Sequence, residues 1–149
     1  MGTSVPIFKG TIMANTQATG VAYADPEFTT CYANQEIGYA AGAQGTVTQL
    51  TDKSTGVTLN KSAGRITMNN AALAGGAVAT FTLTNSLIST NDTIIVCVSS
   101  VTTGSTAGAY TTYVSNMTAG SAAITLRNLS ATSYSEAVII NYAIIHGAS

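Results

Sequence analysis

Only 7% of the 149 residues are charged, five Lys or Arg against six Asp or Glu, where an ordinary soluble domain carries roughly 25%. The apolar fraction of 46% is ordinary, so neutral polar residues, above all 25 threonines, stand in for the missing charge. A net charge of −1 without a basic cluster argues against nucleic-acid binding, and the combination of low charge with ordinary hydrophobicity argues against disorder. No apolar run approaches the ~18 residues of a membrane helix. The N-terminus lacks the basic start and apolar stretch of a secretory signal, so no membrane or secretory role is expected.

Residues 1–45 hold Phe8, Tyr23, Phe28, Tyr32 and Tyr39, both prolines and four charges. They show no sustained period of 2 or 3.6, which predicts an extended arm. Its tail, with Gly38, Gly42 and Gly45, reads as a hinge, because the spacing is not that of a phosphate-binding loop. Cys31 and Cys97 lack metal-ligand spacing, so no zinc site is expected. Cys97 lies in an apolar run, where a free cysteine behaves as a small buried hydrophobe; a Cys31–Cys97 disulfide is the lesser alternative.

From Thr46 the pattern turns to alternation. Residues 46–50, 57–59, 65–68, 77–84, 93–101, 110–114, 122–127 and 137–145 read as eight strands. The clearest is 77–84, where Phe81 and Leu83 alternate with Thr80, Thr82 and Thr84. Turn signals separate the strands: Ser62-Ala63-Gly64, Asn69-Asn70, Gly75-Gly76, Asn91-Asp92, Thr103-Gly104, Ala119-Gly120 and residues 130–133. Eight short strands without a convincing helix predict an all-β, antiparallel sandwich or barrel over residues 46–149. In the last run Val138, Ile140, Tyr142 and Ile144 share one face while Ile139, Ala143 and Ile145 share the other. A strand apolar on both sides is expected under a cover or in a subunit interface. Residues 93–98 repeat this pattern, with Ile95 and Cys97 behind Ile94, Val96 and Val98.

No catalytic constellation stands out, and neither an enzyme activity nor a cofactor is expected. The single histidine, His146, follows the final run and reads as solvated or interface-lining. Gly104-Ser-Thr-Ala-Gly108 has the glycine spacing of a nucleophile elbow, but its centre is Thr106 and no strand-to-helix setting surrounds it. Asp52, Asp92 and Glu136 fall at apparent turns or strand starts, and the acids read as turn formers and solubilisers. No stretch supplies the alternating oxygen ligands of a calcium loop. The sequons at Asn91, Asn116 and Asn128 are common by chance in such a composition.

The stretch Lys53-Ser-Thr-Gly-Val-Thr-Leu-Asn-Lys61, followed by Gly64-Arg-Ile-Thr-Met68, Asn70-Ala-Ala-Leu73 and Phe81-Thr-Leu-Thr-Asn-Ser86, resembles a module of small structural proteins of tailed bacteriophages. Thr106-Ala-Gly-Ala-Tyr110, Ile124-Thr-Leu-Arg-Asn128 and Ser135-Glu-Ala-Val138 resemble its continuation. The resemblance covers about residues 45–147 and points to the capsid decoration, or cement, proteins. It implies a jelly-roll, tumour-necrosis-factor-like sandwich that trimerises on the outside of a phage head, with the major capsid protein as partner. The implied location is the virion surface, after synthesis in the bacterial cytoplasm. Ile140, Tyr142 and Ile144, or their alternates Ile139 and Ile145, are the expected threefold interface. Phe8, Tyr23, Phe28, Tyr32 and Tyr39 are the expected capsid-binding contacts of the arm. The alternative is a receptor- or glycan-binding tip of a tail fibre or spike, with Tyr110, Tyr113 or Tyr134 stacking on sugars.

Overall fold

A computed structural model describes Thr30 and residues 32–104 and 106–147. Among these, eight strands form: β1 (Gln44–Thr48), β2 (Val57–Thr58), β3 (Ala63–Thr67), β4 (Val78–Thr84), β5 (Thr93–Val101), β6 (Tyr110–Thr118), β7 (Ser121–Asn128) and β8 (Val138–Ile145). Each falls on one of the eight runs expected from alternation. The only helical pieces are two single 3₁₀ turns, Ala41–Ala43 and Ala107–Ala109. The strands make two four-stranded sheets, in the orders β1-β3-β8-β5 and β2-β4-β7-β6. The chain changes sheet at every connection except β6 to β7, which winds it into an all-β sandwich.

The pairings β3–β8, β5–β8, β4–β7 and β6–β7 are antiparallel. The edge strands β1 and β2 instead join β3 and β4 in parallel, so both sheets are mixed. This follows from the winding: a strand that leaves for the other sheet and returns re-enters beside its predecessor without reversing direction. The core lies between the sheets. Ala79, Phe81 and Leu83 of β4 and Ala122, Ile124 and Leu126 of β7 face Ile66 of β3 and Val138, Ile140, Tyr142 and Ile144 of β8, all buried. The threonines of β4 point the other way and are exposed, as a period of two requires.

Two expected loop stretches are strand instead. Gly45 lies within β1 and Ala63-Gly64 opens β3, where a hinge and a turn were expected. Packing explains both glycines. Gly45 pairs with Gly64, and a Cβ on Gly64 would come within 2.6 Å of both the Leu59 side chain and the Tyr142 ring, while one on Gly45 would meet Leu59 at 2.9 Å. Gly120 is a glycine of the other kind. It adopts φ +80° in the two-residue connection that lets Thr118 pair with Ser121.

The division of the chain falls after Ile37, earlier than the expected boundary at residue 45. Residues 38–45 belong with the sandwich. The Tyr39 hydroxyl donates to the main-chain oxygen of Ile144, Lys61 Nζ donates to Gly42 O at 2.7 Å and Gln44 Nε2 to Tyr39 O at 2.7 Å.

Replacing Ile140, which is fully buried, with Ala should lower stability by about 2–5 kcal/mol. Val78→Ala on the outer face, where Val78 is 54% exposed, should cost less than about 0.5 kcal/mol. Urea unfolding followed by circular dichroism distinguishes the two, and equal losses would place the core elsewhere.

Candidate functional site

The outer face of the β1-β3-β8-β5 sheet can be laid out in rows from its registers. One row runs Thr48, Thr67, Ile139, Ser100; the next Thr46, Arg65, Asn141, Cys97; the next Gln44, Ala63, Ala143, Ile95; and the last pairs Ile145 with Thr93. A β-bulge between Val98 and Ser100 brings Ser100 opposite Ile139. Arg65 is the only charged residue in these rows. At the β8–β5 side Ile95 and Ile145 are 53% and 55% exposed beside half-buried Ala143, an apolar band with no cover among the described residues.

This face sorts the expected interface residues. Ile140, Tyr142 and Ile144 point into the sandwich and are buried by their own chain, so they are core and have no surface to offer a neighbour. Ile139 and Ile145 stand on the outer face, but Ile139 is buried at 6%, so only Ile145 is open. Cys97 is exposed, contrary to the expectation of burial. Parity is the reason: Ile94, Val96 and Val98 pack against the core, which turns Ile95 and Cys97 outward on an edge strand. Cys31, Phe8, Tyr23 and Phe28 lie outside the described residues. Tyr32 is 90% exposed, whereas Tyr39 is tied to Ile144.

The outer face of the other sheet is hydroxyl-rich. Thr125 pairs with Thr80 and Tyr113 in register, and its hydroxyl bonds to Thr80 Oγ1 at 2.8 Å and Ser115 Oγ at 3.0 Å. Of the three tyrosines expected to be available to sugars, Tyr113 alone is open, at 46%. Tyr110 is buried and packs edge-to-face against Tyr134, with ring centroids 6.2 Å apart. Burial, helped by the neighbouring Glu136 carboxylate, pushes the Tyr110 hydroxyl well above its ordinary pKa.

Three buried polar groups knot the loops at one place, a feature that sequence reasoning missed. Gln49 Nε2 donates to Lys53 O and Thr55 O, and its Oε1 accepts from Asn69 N. Lys53 is 4% exposed, and its Nζ donates to Asn69 O and Glu136 O, both at 2.6 Å. Burial holds the Lys53 ammonium below its usual pKa, against the opposing pull of Glu136. Glu136, read above as a solubiliser, is 7% exposed and accepts the Thr106 hydroxyl. That hydrogen bond gives Thr106 a structural partner, and the turn Ala107–Ala109 leads from it into β6. Each end of the knot belongs to a different loop, so the side chains replace the water that these buried carbonyls would otherwise lose.

Asp92 makes a second clasp. Its carboxylate accepts from Ser89 N and Ser89 Oγ, each at 2.8 Å, and from Gly147 N at 3.1 Å. His146 Nδ1 lies 3.1 Å from Asp92 Oδ2, with the histidine side chain 48% exposed. The hydrogen bonds, foremost that from the Ser89 main chain, hold the Asp92 carboxyl down at about 2, with His146 adding a smaller pull. Asp52 closes its own turn by accepting from Ser54 N and Thr55 Oγ1.

Among the described residues no group of three or more His, Cys, Asp or Glu side chains gathers in metal-binding geometry. No helix among them is long and apolar enough to cross a membrane. No protein-family model, curated protein or solved structure matches the chain.

The lowered pKa of Asp92 makes its clasp a source of stability above the unfolded value near 3.8, lost as pH falls through about 2. Asp92→Asn should therefore be less stable than the parent at pH 7 and should lose part of the parent's decline between pH 5 and pH 2. Thermal melts across that range test this, and parallel curves for the two proteins would refute it.

Proposed function

We propose that this chain is a structural virion protein, a trimeric decoration protein on the outside of a tailed-phage head that holds the shell through its N-terminal arm. The observation that carries the reading is the outer face of the β1-β3-β8-β5 sheet, where Ile95, Ala143 and Ile145 form an apolar band. A soluble monomer gains nothing from two half-open isoleucines side by side on a sheet otherwise dressed with Thr, Asn and Gln, whereas a second copy laid across them removes apolar surface from water. The low charge supports the same reading, because neutral short side chains lie together without repulsion and without desolvating ions. The sequence resemblance of residues 45–147 to phage decoration modules supplies the biological setting.

In this reading the partners are two further copies and the major capsid protein, and the protein performs no catalysis and needs no cofactor. The open residues of the band, Ile95 and Ile145 with Ala143 beside them, form the interface, whereas Ile139, two rows away and buried, offers it no surface. Tyr32 and the aromatic residues before it form the attachment to the shell. A tail-tip lectin would need a cluster of open aromatic rings, and Tyr113 stands alone among the three tyrosines considered for that role.

Sedimentation equilibrium should find a trimer, and the double variant Ile95→Asp, Ile145→Asp should raise its dissociation constant at least about tenfold, because each new carboxylate would have to be buried without a partner. Immunogold labelling of intact particles should decorate heads. Labelled tails, or a parent protein that sediments as a monomer, would overturn the proposal.

A further inference from the structure

Each sheet of the sandwich ends in two edge strands. On one side they are short, five residues in β1 and two in β2, and a short edge offers little to an arriving strand. On the other side stand β5 and β6, nine residues each and without a charge or a proline. Most side chains of β6 are hydroxyls and an amide, whereas residues 93–98 of β5 read Thr-Ile-Ile-Val-Cys-Val, five of the six branched at Cβ. A neutral run of strong strand formers is the kind that pairs with its own kind.

The parity of the hydrogen bonds identifies which main-chain groups of β5 are unspent. Ile144 N donates to Ser62 O and Met68 N to Val138 O, so the even residues of β8 bond to β3 and its odd residues to β5. Thr93, Ile95 and Cys97 stand opposite Ile145, Ala143 and Asn141, and past the bulge Thr102 N donates to Ala137 O. These residues use their groups inside the sheet. The N–H and C=O groups of Ile94, Val96 and Val98 therefore point away from it, and none has a hydrogen-bond partner among the described residues. Beside them lies an open cleft of about 440 Å³, whose lining includes Val96, Val98, Ala107 and Tyr110, so there is space next to the edge.

We propose that β5 of one copy pairs antiparallel with β5 of a second copy about a twofold axis at Val96, joining two β1-β3-β8-β5 sheets into one. Ile94 then stands opposite Val98, and Val96 opposite itself, and each such pair exchanges two hydrogen bonds. A twofold contact sets a segment against itself, and a neutral segment does so without opposing like charges. On the outer face Ile95 of each copy lies opposite Cys97 of the other, so the exposed band of Ile145, Ala143 and Ile95 continues across the axis. That continuity favours a second copy over an unrelated peptide. The bulge after Val98 ends the regular stretch and confines the contact to residues 94–98, so it is a weak contact that acts where copies are crowded. It does not rest on the proposed trimer, which uses the outer face of the sheet and not its edge.

Amide exchange resolved to single residues tests the edge in the full-length chain under reducing conditions. In dilute protein Ile94, Val96 and Val98 should exchange at least about tenfold faster than Ile95 and Cys97, and a hundredfold rise in concentration should slow them about tenfold. The amides of β6 should show no such change. Val96→Pro deletes an outward N–H without touching the ladder to β8 and should abolish the concentration effect at Ile94 and Val98. Should that variant fail to fold, Cys97→Lys on the exposed outer face blocks the edge instead. A non-hydrogen-bonded pair brings its Cα atoms to about 4.5 Å, within disulfide reach. With Cys31→Ser, Ile95→Cys should therefore yield on mild oxidation a dimer linked to Cys97 of the other chain, and adding Val96→Pro should abolish the link. Exchange that ignores concentration, a folded edge variant that keeps the parent's protection, or a link that survives Val96→Pro would each rule out the edge pairing. Protection without any link would assign the edge to another segment of the chain and refute the pairing as well. None of these outcomes bears on the trimer, which sedimentation at low concentration tests separately.

Discussion

Everything in this fold depends on the inward column of β8. Val138, Ile140 and Ile144 are fully buried and Tyr142 nearly so, and the strand that carries them pairs with β3 on one side and β5 on the other. Opposite them stand Phe81, Ile124 and Leu126 from the second sheet. The hydrophobic contact across this gap is what makes two sheets into one body, at roughly 25 cal/mol for each Å² of apolar surface removed from water. Tyr142 also serves as a polar anchor. Its hydroxyl donates toward Lys61 O at 3.0 Å, and burial pushes its pKa up to about 12, so the group stays a neutral donor at any ordinary pH.

Because the chain changes sheet at nearly every connection, its loops must bridge the ends of the sandwich, and their buried carbonyls need partners there. The Gln49–Lys53–Glu136 knot and the Asp92 clasp answer that need. Scarce charge is thus concentrated on architecture. Of the seven charged residues in the sandwich unit, Lys53, Asp92 and Glu136 are buried, an unusual allocation for ionisable groups. What remains for the surface is almost wholly neutral, and the exposed faces become hydroxyl networks such as Thr80–Thr125–Ser115.

The legibility of the sequence followed the physics of its strands. Alternation of Phe81 and Leu83 with threonines located β4, and equivalent patterns located the other seven strands, because a period of two is written directly into residue order. The glycines of β1 and β3 misled for an equally definite reason. Gly45 and Gly64 look like flexible punctuation, yet they are needed where the Leu59 and Tyr142 side chains press on the backbone, a contact between segments far apart in the chain. Burial of Lys53 and Glu136 was illegible for the same cause, since their partners come from three separate loops. The two apolar faces of β8 were visible, but which of them is core was decided only when Ile140 met Phe81 and its neighbours. Cys97 and Ile95 turned outward through the same choice of parity on β5.

The position of β8 in its sheet also governs when the protein can fold. It is the last of the eight strands in order of synthesis, yet it lies in the interior of its sheet, between β3 and β5. Until residues 138–145 have left the ribosome, β3 and β5 have no common partner and the first sheet cannot close. Only the β6–β7 hairpin joins neighbouring strands through a tight turn, so it is the one pairing available early, and the others wait on contacts between distant segments. A nascent chain of this composition therefore passes through a long interval with open strand edges and few charges to keep copies apart. Its folding in the cell is a race between the arrival of one strand and the encounter of unfinished neighbours.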